Sequence, residues 1–122
     1  MQNTIALLKA TQDLVQKGWS QRSEARDFEG RPVPWRDDRA SRYSLYAACR
    51  RAQSDNKLLS LFDVDSALIA LSYAIKREFP DFLGSYPKNR ADAVILFNDC
   101  ATRTVRDCAV VINSAIKWSE SL

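Results

Sequence analysis

The apolar residues near the start of the chain recur at intervals of three and four: Leu7, Leu8, Leu14 and Val15, with Thr11 in the same register. That spacing places them on one face of an α-helix. Asn3 or Thr4 is a suitable N-cap and Gly18 a suitable C-cap, which bounds the helix at both ends. From Trp19 to Trp35 the helical period is lost. This stretch carries the turn signal Asp27-Phe28-Glu29-Gly30 between short polar runs, then Pro32 and Pro34, both helix breakers. A small, two-stranded hairpin is expected here.

A second helix is expected from Asp37 or Asp38, as N-cap, to about Gln53. Tyr43, Leu45, Tyr46, Ala47, Ala48 and Cys49 spread around most of its circumference, the pattern of a central, buried helix. After a turn at Ser54–Lys57, Asp63 is expected to cap a third helix, in which Val64, Ala67, Leu68, Leu71, Ile75 and Phe79 keep the period until Pro80 ends it. Pro80 to Pro87 holds Phe82, Leu83 and Tyr86 around Gly84 and reads as an apolar connection packed on the core. Asn89, with Asp92 three residues later, starts a short fourth helix reaching about Asn98. Thr104 with Asp107 resembles a capping box ahead of a fifth helix that carries Val105, Cys108, Ala109, Ile112, Ala115 and Ile116 on one face. The expected fold is mainly α: a compact bundle of about five helices with a small β-hairpin or irregular insertion after the first.

Composition adds limits to this picture. A chain of 122 residues suffices for one core of ordinary size, so a single helical domain over 1–122 is expected. Its 46% apolar and 27% charged residues, with three Gly and four Pro, argue against disorder. No stretch approaches the roughly 18 consecutive apolar residues of a membrane span. The first helix is amphipathic rather than continuously apolar like a signal peptide, so the expectation is a cytoplasmic protein without membrane contact. Cys49, Cys100 and Cys108 match neither a zinc nor a disulfide spacing, and are expected to be buried, reduced and structural. There is no His, the commonest general base and metal ligand. No metal and no cofactor is expected.

The net charge of +3 is unevenly spread. Between Arg22 and Arg51 eight Arg face five acids, Glu24, Asp27, Glu29, Asp37 and Asp38, while the rest of the chain balances. All the excess positive charge lies in this quarter of the protein.

Three stretches also carry a family resemblance: Gly18-Trp19 through Ala25-Arg26-Asp27 to Gly30-Arg31-Pro32-Val33; Arg42-Tyr43-Ser44-Leu45 to Ala47-Ala48; and Phe97-Asn98-Asp99 to Arg103-Thr104. They resemble a widespread family of small bacterial and phage proteins classed as a domain of unknown function. Its pattern runs from Gly-Trp to an Ala-Arg-Asp hairpin closing on Gly-Arg-Pro-Val, then an Arg-Trp-Cys helix and an aromatic-Asn-Asp before a final helix. Here Tyr43 stands where Trp is usual and Ser44 where Cys is usual, so no role of that Cys carries over. The resemblance implies the fold and a bacterial or phage origin; it implies no activity.

Candidate chemistry is sparse. Ser114-Ala-Ile-Lys117 fits an S-x-x-K pattern, but none of the partner motifs of the penicillin-recognising enzymes accompanies it. Asp37-Asp38 and Asp63 with Asp65 are carboxylate pairs placed where helix caps are expected, which suits the positive end of a helix. No glycine-rich phosphate loop or nucleophile elbow is present. The expected function is therefore non-enzymatic: an interaction module that binds another protein, with an inhibitor or adaptor acting on a bacterial defence system as its specific form. Its surface is assigned to Trp19, Arg22, Arg26, Arg31, Trp35, Arg36, Arg39, Arg42, Arg50 and Arg51, where guanidinium forks and aromatic faces alternate. A competing reading pairs Arg22, Arg26, Arg31, Arg36, Arg39 and Arg42 with the five intervening acids as a solvated face, with the Trp residues covering the core beneath. Two alternatives of other classes are a nucleic-acid-binding accessory or regulatory protein using Arg50-Arg51, and a small-ligand site near Asn98, Asp99 and Arg42. An amphipathic helix looks alike within a chain or across a dimer, so the pattern leaves oligomeric state open.

Overall fold

A computed structural model describes residues 2–82 and 89–122. Five helices, α1 (Gln2–Lys17), α2 (Leu45–Asp55), α3 (Leu61–Glu78), α4 (Arg90–Asp99) and α5 (Val105–Glu120), enclose the core, and three two-residue strands lie between α1 and α2. The fold is compact and mainly α, as the pattern predicts. α1 packs on α2, α3 and α5, and α3 packs on α4 and α5. The periodic positions Leu7, Leu8, Val15, Leu68, Leu71, Ile75 and Ile112 are buried together. Thr11, buried on the same stripe, satisfies its hydroxyl locally by donating to the Leu7 carbonyl at 2.9 Å.

The caps follow short-range chemistry. Asn89 caps α4, accepting from the Asp92 N–H at 2.8 Å. Thr104 and Asp107 form a reciprocal box at the start of α5, with Asp doing the work of the usual Glu. In α3 the cap is Ser60 rather than Asp63. Asp63 sits a turn inside and returns the bond, accepting from the Ser60 N–H at 2.8 Å. α3 ends at Glu78, ahead of Pro80. α1 already includes Gln2, Asn3 and Thr4 in its first turn, so neither Asn3 nor Thr4 is its cap.

The second helix is the main correction. It begins at Leu45, with Ser44 as N-cap, and not at Asp37 or Asp38. Asp37 closes a local turn instead, accepting from the Arg39 N–H at 2.8 Å. The residues after it form a third strand, because long-range partners take their backbone. The Tyr43 N–H donates to the Gly18 carbonyl at 2.9 Å, and the Ser20 N–H donates to the Tyr43 carbonyl at 3.1 Å.

The expected hairpin is thus a three-stranded antiparallel sheet in the order β2-β1-β3, built from β1 (Ala25–Arg26), β2 (Pro32–Val33) and β3 (Arg42–Tyr43). Ala25 pairs with Val33 and Tyr43, and all three are buried; Arg26 pairs with Pro32 and Arg42 on the other face. Period-2 alternation therefore sorts the arginines outward. Pro32 lies on the edge strand β2, where a missing N–H is tolerated.

Gly18 follows α1, but not as a left-handed cap; among the described glycines only Gly30 has a positive φ, +85°. A Cβ on Gly18 would stand 2.3 Å from the Ser41 carbonyl oxygen, so the residue permits the close approach of β3 to the end of α1. Of the apolar connection expected at Pro80–Pro87, residues 83–87 lie outside the described residues. No helix among the described residues is long and apolar enough to cross a membrane.

Candidate functional site

The β1–β2 turn is held by one side chain. Asp27 is buried, and its Oδ1 accepts from the Glu29 and Arg31 N–H groups, each at 2.9 Å, while Oδ2 accepts from Arg31 Nε at 3.1 Å. The Gly30 N–H donates to the Asp27 carbonyl at 3.0 Å, and Gly30 supplies the left-handed residue. Led by the Arg31 N–H, these contacts hold the Asp27 carboxyl below its ordinary pKa. The consequence is a fixed tip that presents Phe28 87% exposed.

The ten residues assigned from the sequence divide into two groups. Trp35 is buried beneath the guanidinium groups of Arg36 and Arg50, 5.2 and 5.0 Å from its ring centroid. Trp19 is half-buried and donates Nε1–H to Asn98 Oδ1 at 2.7 Å. Arg26 donates to the Gly30 and Gln21 carbonyls. Arg50 donates to the Tyr46 hydroxyl, and Arg51 donates to the Trp35 and Asp37 carbonyls and pairs with Asp55. These five side chains tie the sheet to α2 and to the core.

The other five, Arg22, Arg31, Arg36, Arg39 and Arg42, are exposed. Arg31 pairs with Asp27 and Glu29. Arg39 pairs with Asp37, whose carboxyl its guanidinium holds down at a pKa of about 2. No ion pair joins Arg22, Arg36 or Arg42 to an acid among the described residues. The competing reading of Arg paired with the intervening acids therefore describes Arg31 and Arg39, and leaves Arg22, Arg36 and Arg42 without an acid partner among the described residues.

Asn98 is fully buried and saturated. Its Oδ1 accepts from Trp19 Nε1 and from the Leu45 N–H at 3.1 Å; its Nδ2 donates to the Ser20 carbonyl and to Asp99 Oδ1, each at 2.9 Å. Gln21 adds bonds from Nε2 to the carbonyls of Asn98 and Cys100. One side chain thus joins α4, the residues after α1 and the first turn of α2. Asn98 has no open valence for a ligand. Arg42 does not enter this network; it stands on the outer face of the sheet. Asp99 does face a cavity of about 250 Å³, lined also by Arg22, Ser23, Glu24, Ser44, Tyr46 and Ile95.

Residues 1–117 match the model of a family described as of unknown function, DUF6197. The chain belongs to this family. No curated protein and no solved structure matches it.

In this member of DUF6197 the thiols differ in kind. Cys49 and Cys108 are buried, and burial pushes their pKa values up to about 11 and about 12. Cys100, expected to be buried, is half-exposed at the end of α4, because it caps the helix rather than lying on its inner face. The Thr102 N–H leads the contacts that lower its pKa. Among the described residues no three His, Cys, Asp or Glu side chains converge to hold a metal ion. The Ser114 hydroxyl donates to Glu78 Oε2 at 3.1 Å.

Two features were not found by sequence reasoning. Arg103 lies inside the protein, 8% exposed, with its guanidinium 3.7 Å from the Phe97 ring centroid and about 5 Å from those of Phe79 and Phe82. Its Nε donates to the Phe97 carbonyl at 2.9 Å, closing the end of α4. The corner between α2 and α3 exposes Leu58, Leu61 and Phe62. Consecutive apolar residues in a turn were the available signal for that corner; Arg103 had none, since its partners come from separate elements.

Proposed function

We propose that this protein is an interaction module that docks on a partner protein through the β1–β2 tip and the open cations beside it. The observation that carries this reading is Phe28, a large aromatic side chain held 87% exposed on a turn made rigid by the buried Asp27 carboxylate. An aromatic anchor on a backbone turn fixed in one conformation, in the same segment as guanidinium groups without acid partners among the described residues, has the chemistry of a binding hot spot. Arg42, opposite Arg26 on the outer face of the sheet, and Arg36, which follows β2 and lies over the Trp35 ring, are the cations of this segment offered for that pairing. A role as inhibitor or adaptor is the form such docking takes in this proposal, with an acidic or carbonyl-rich partner surface.

Affinity capture from the native host, comparing the parent with Phe28→Ala, tests it. The expected result is a partner retained by the parent, weakened at least about tenfold by Phe28→Ala, and weakened also by Arg36→Ala with Arg42→Ala. Unchanged melting temperatures certify that the fold is intact. A partner lost instead with Leu58→Ser and Phe62→Ser would move the surface to the α2–α3 corner and overturn the assignment. Retardation of DNA or RNA by the parent, lost in Arg36→Ala with Arg42→Ala, would replace the protein partner by a nucleic acid. Those two arginines are the relevant pair, because Arg50 and Arg51 bond within the chain.

A further inference from the structure

The cavity at the base of the sheet joins two observations. Its lining holds two carboxylates with no ion pair among the described residues, Glu24 and Asp99, and one guanidinium likewise without one, Arg22. Each acid keeps an oxygen without a partner among the described residues: Glu24 uses Oε1 to accept from the Trp35 N–H, and Asp99 uses Oδ1 for Asn98 and for the Arg22 N–H. Ser44 and Tyr46 bring the first turn of α2 to the same cavity. There Asn98 takes the Leu45 N–H and Ser44 takes the Ala47 N–H, whereas the Tyr46 N–H has no partner among the described residues. Ile95, 37% exposed, supplies an apolar wall with the Tyr46 side chain.

The second observation is the backbone of Arg22. Its φ is +62°, which makes it the one non-glycine residue with a positive φ among the described residues. The Asp99 carboxylate holds it there through the Arg22 N–H at 2.9 Å. A non-glycine residue in the left-handed region is uncommon, and this one lines the cavity with an exposed side chain.

We propose that this cavity binds a small zwitterion, a free α-amino acid with a short aliphatic side chain. The ammonium group pairs with the free oxygens of Glu24 and Asp99. The carboxylate takes the Arg22 guanidinium and the Tyr46 N–H at the positive end of α2. The aliphatic group packs on Ile95 and Tyr46. A cation alone meets Arg22 and an anion alone meets two acids, so only a ligand carrying both charges satisfies the whole lining.

The test is amide NMR titration and calorimetry with L-leucine, isopentylamine and isocaproate, which share the side chain but carry both charges, the amine only or the acid only. Leucine is expected to bind at millimolar concentration or tighter and to shift the amides of Arg22, Tyr46 and Asp99, with each single-charge analogue at least about tenfold weaker. Arg22→Gly relieves the strained position and is expected to keep the helical circular dichroism and melting temperature while losing about tenfold or more in leucine affinity. Glu24→Gln, which can still accept from the Trp35 N–H, is expected to do the same. No binding of leucine, equal binding of the analogues, or unaltered affinity in a folded Arg22→Gly variant overturns the proposal. Phe28→Ala leaves leucine binding unchanged, so this site and the docking tip stand or fall separately.

Discussion

At the scale of single residues, polar groups with several partners carry most of the specificity. Asn98 makes four hydrogen bonds to nitrogen and oxygen partners and takes a fifth, longer one from the Cys108 thiol, all at zero exposure, and removing its amide strands the Trp19 indole N–H, the Leu45 N–H and the Ser20 carbonyl. Asn98→Ala is expected to lower the unfolding free energy by about 3 kcal/mol or more in urea titrations. Asn98→Asp fares little better, since a carboxylate cannot donate to Ser20. The sequence marked this residue as a helix terminator; its real role needed Trp19 and Leu45 to arrive from elsewhere. The cysteines give a second expectation at this scale. In the folded protein iodoacetamide should modify Cys100 alone, and all three thiols should react in denaturant, as read by mass spectrometry. Fast labelling of Cys49 or Cys108 in native buffer would contradict their burial.

At the scale of elements, the caps of α4 and α5 and the β1–β2 hairpin were legible, while the caps of the other helices and the third strand were not. Asn89 and the Thr104–Asp107 box stand in the sequence beside the backbone groups they satisfy, so their function is local. The start of α2 was misplaced because Tyr43 fits a helical stripe and a strand equally well; the hydrogen bonds to Gly18 and Ser20 decide between them. Gly18 is the hinge of that decision. Replacing a glycine that has an ordinary φ normally stabilises a protein by reducing unfolded-chain entropy. Here Gly18→Ala is expected to do the opposite, lowering the melting temperature, because its Cβ would meet the Ser41 carbonyl at 2.3 Å and push β3 from α1. Equal or higher thermal stability would show that β3 can shift at no cost. Arg103 belongs to the same scale, as a cation enclosed by Phe79, Phe82 and Phe97 where α4 turns toward α5.

Across the whole molecule, charge is organised around the small sheet. Asp27 and Asp37 both have folded pKa values below their ordinary range, Asp37 at about 2. A carboxylate of this kind contributes stability that is fully present above its unfolded pKa, near 4, and is lost as pH falls through the folded value. The sheet and its turns should therefore loosen between about pH 4 and pH 2, before or together with the helices. Hydrogen exchange at the Glu29, Arg31 and Arg39 amides, which these carboxylates accept, measures it. Protection unchanged down to pH 2 would contradict the assignment.

What the sequence determined by itself was the mainly helical fold and the buried stripes, because helical period, capping chemistry and proline breaks act over a few residues. It also located the uneven charge between Arg22 and Arg51. Only the tertiary structure decided which of those arginines are bound within the chain, that Phe28 stands clear at a rigid tip, and that Arg22 is held in a left-handed backbone beside a cavity. The enclosed arginines and the Arg22 backbone depend on residues distant in sequence, Trp35 with Arg50 or Arg22 with Asp99, and no local pattern encodes such meetings; the Asp27 tip is held by neighbours within four residues, but its exposure is set by what the rest of the fold leaves uncovered.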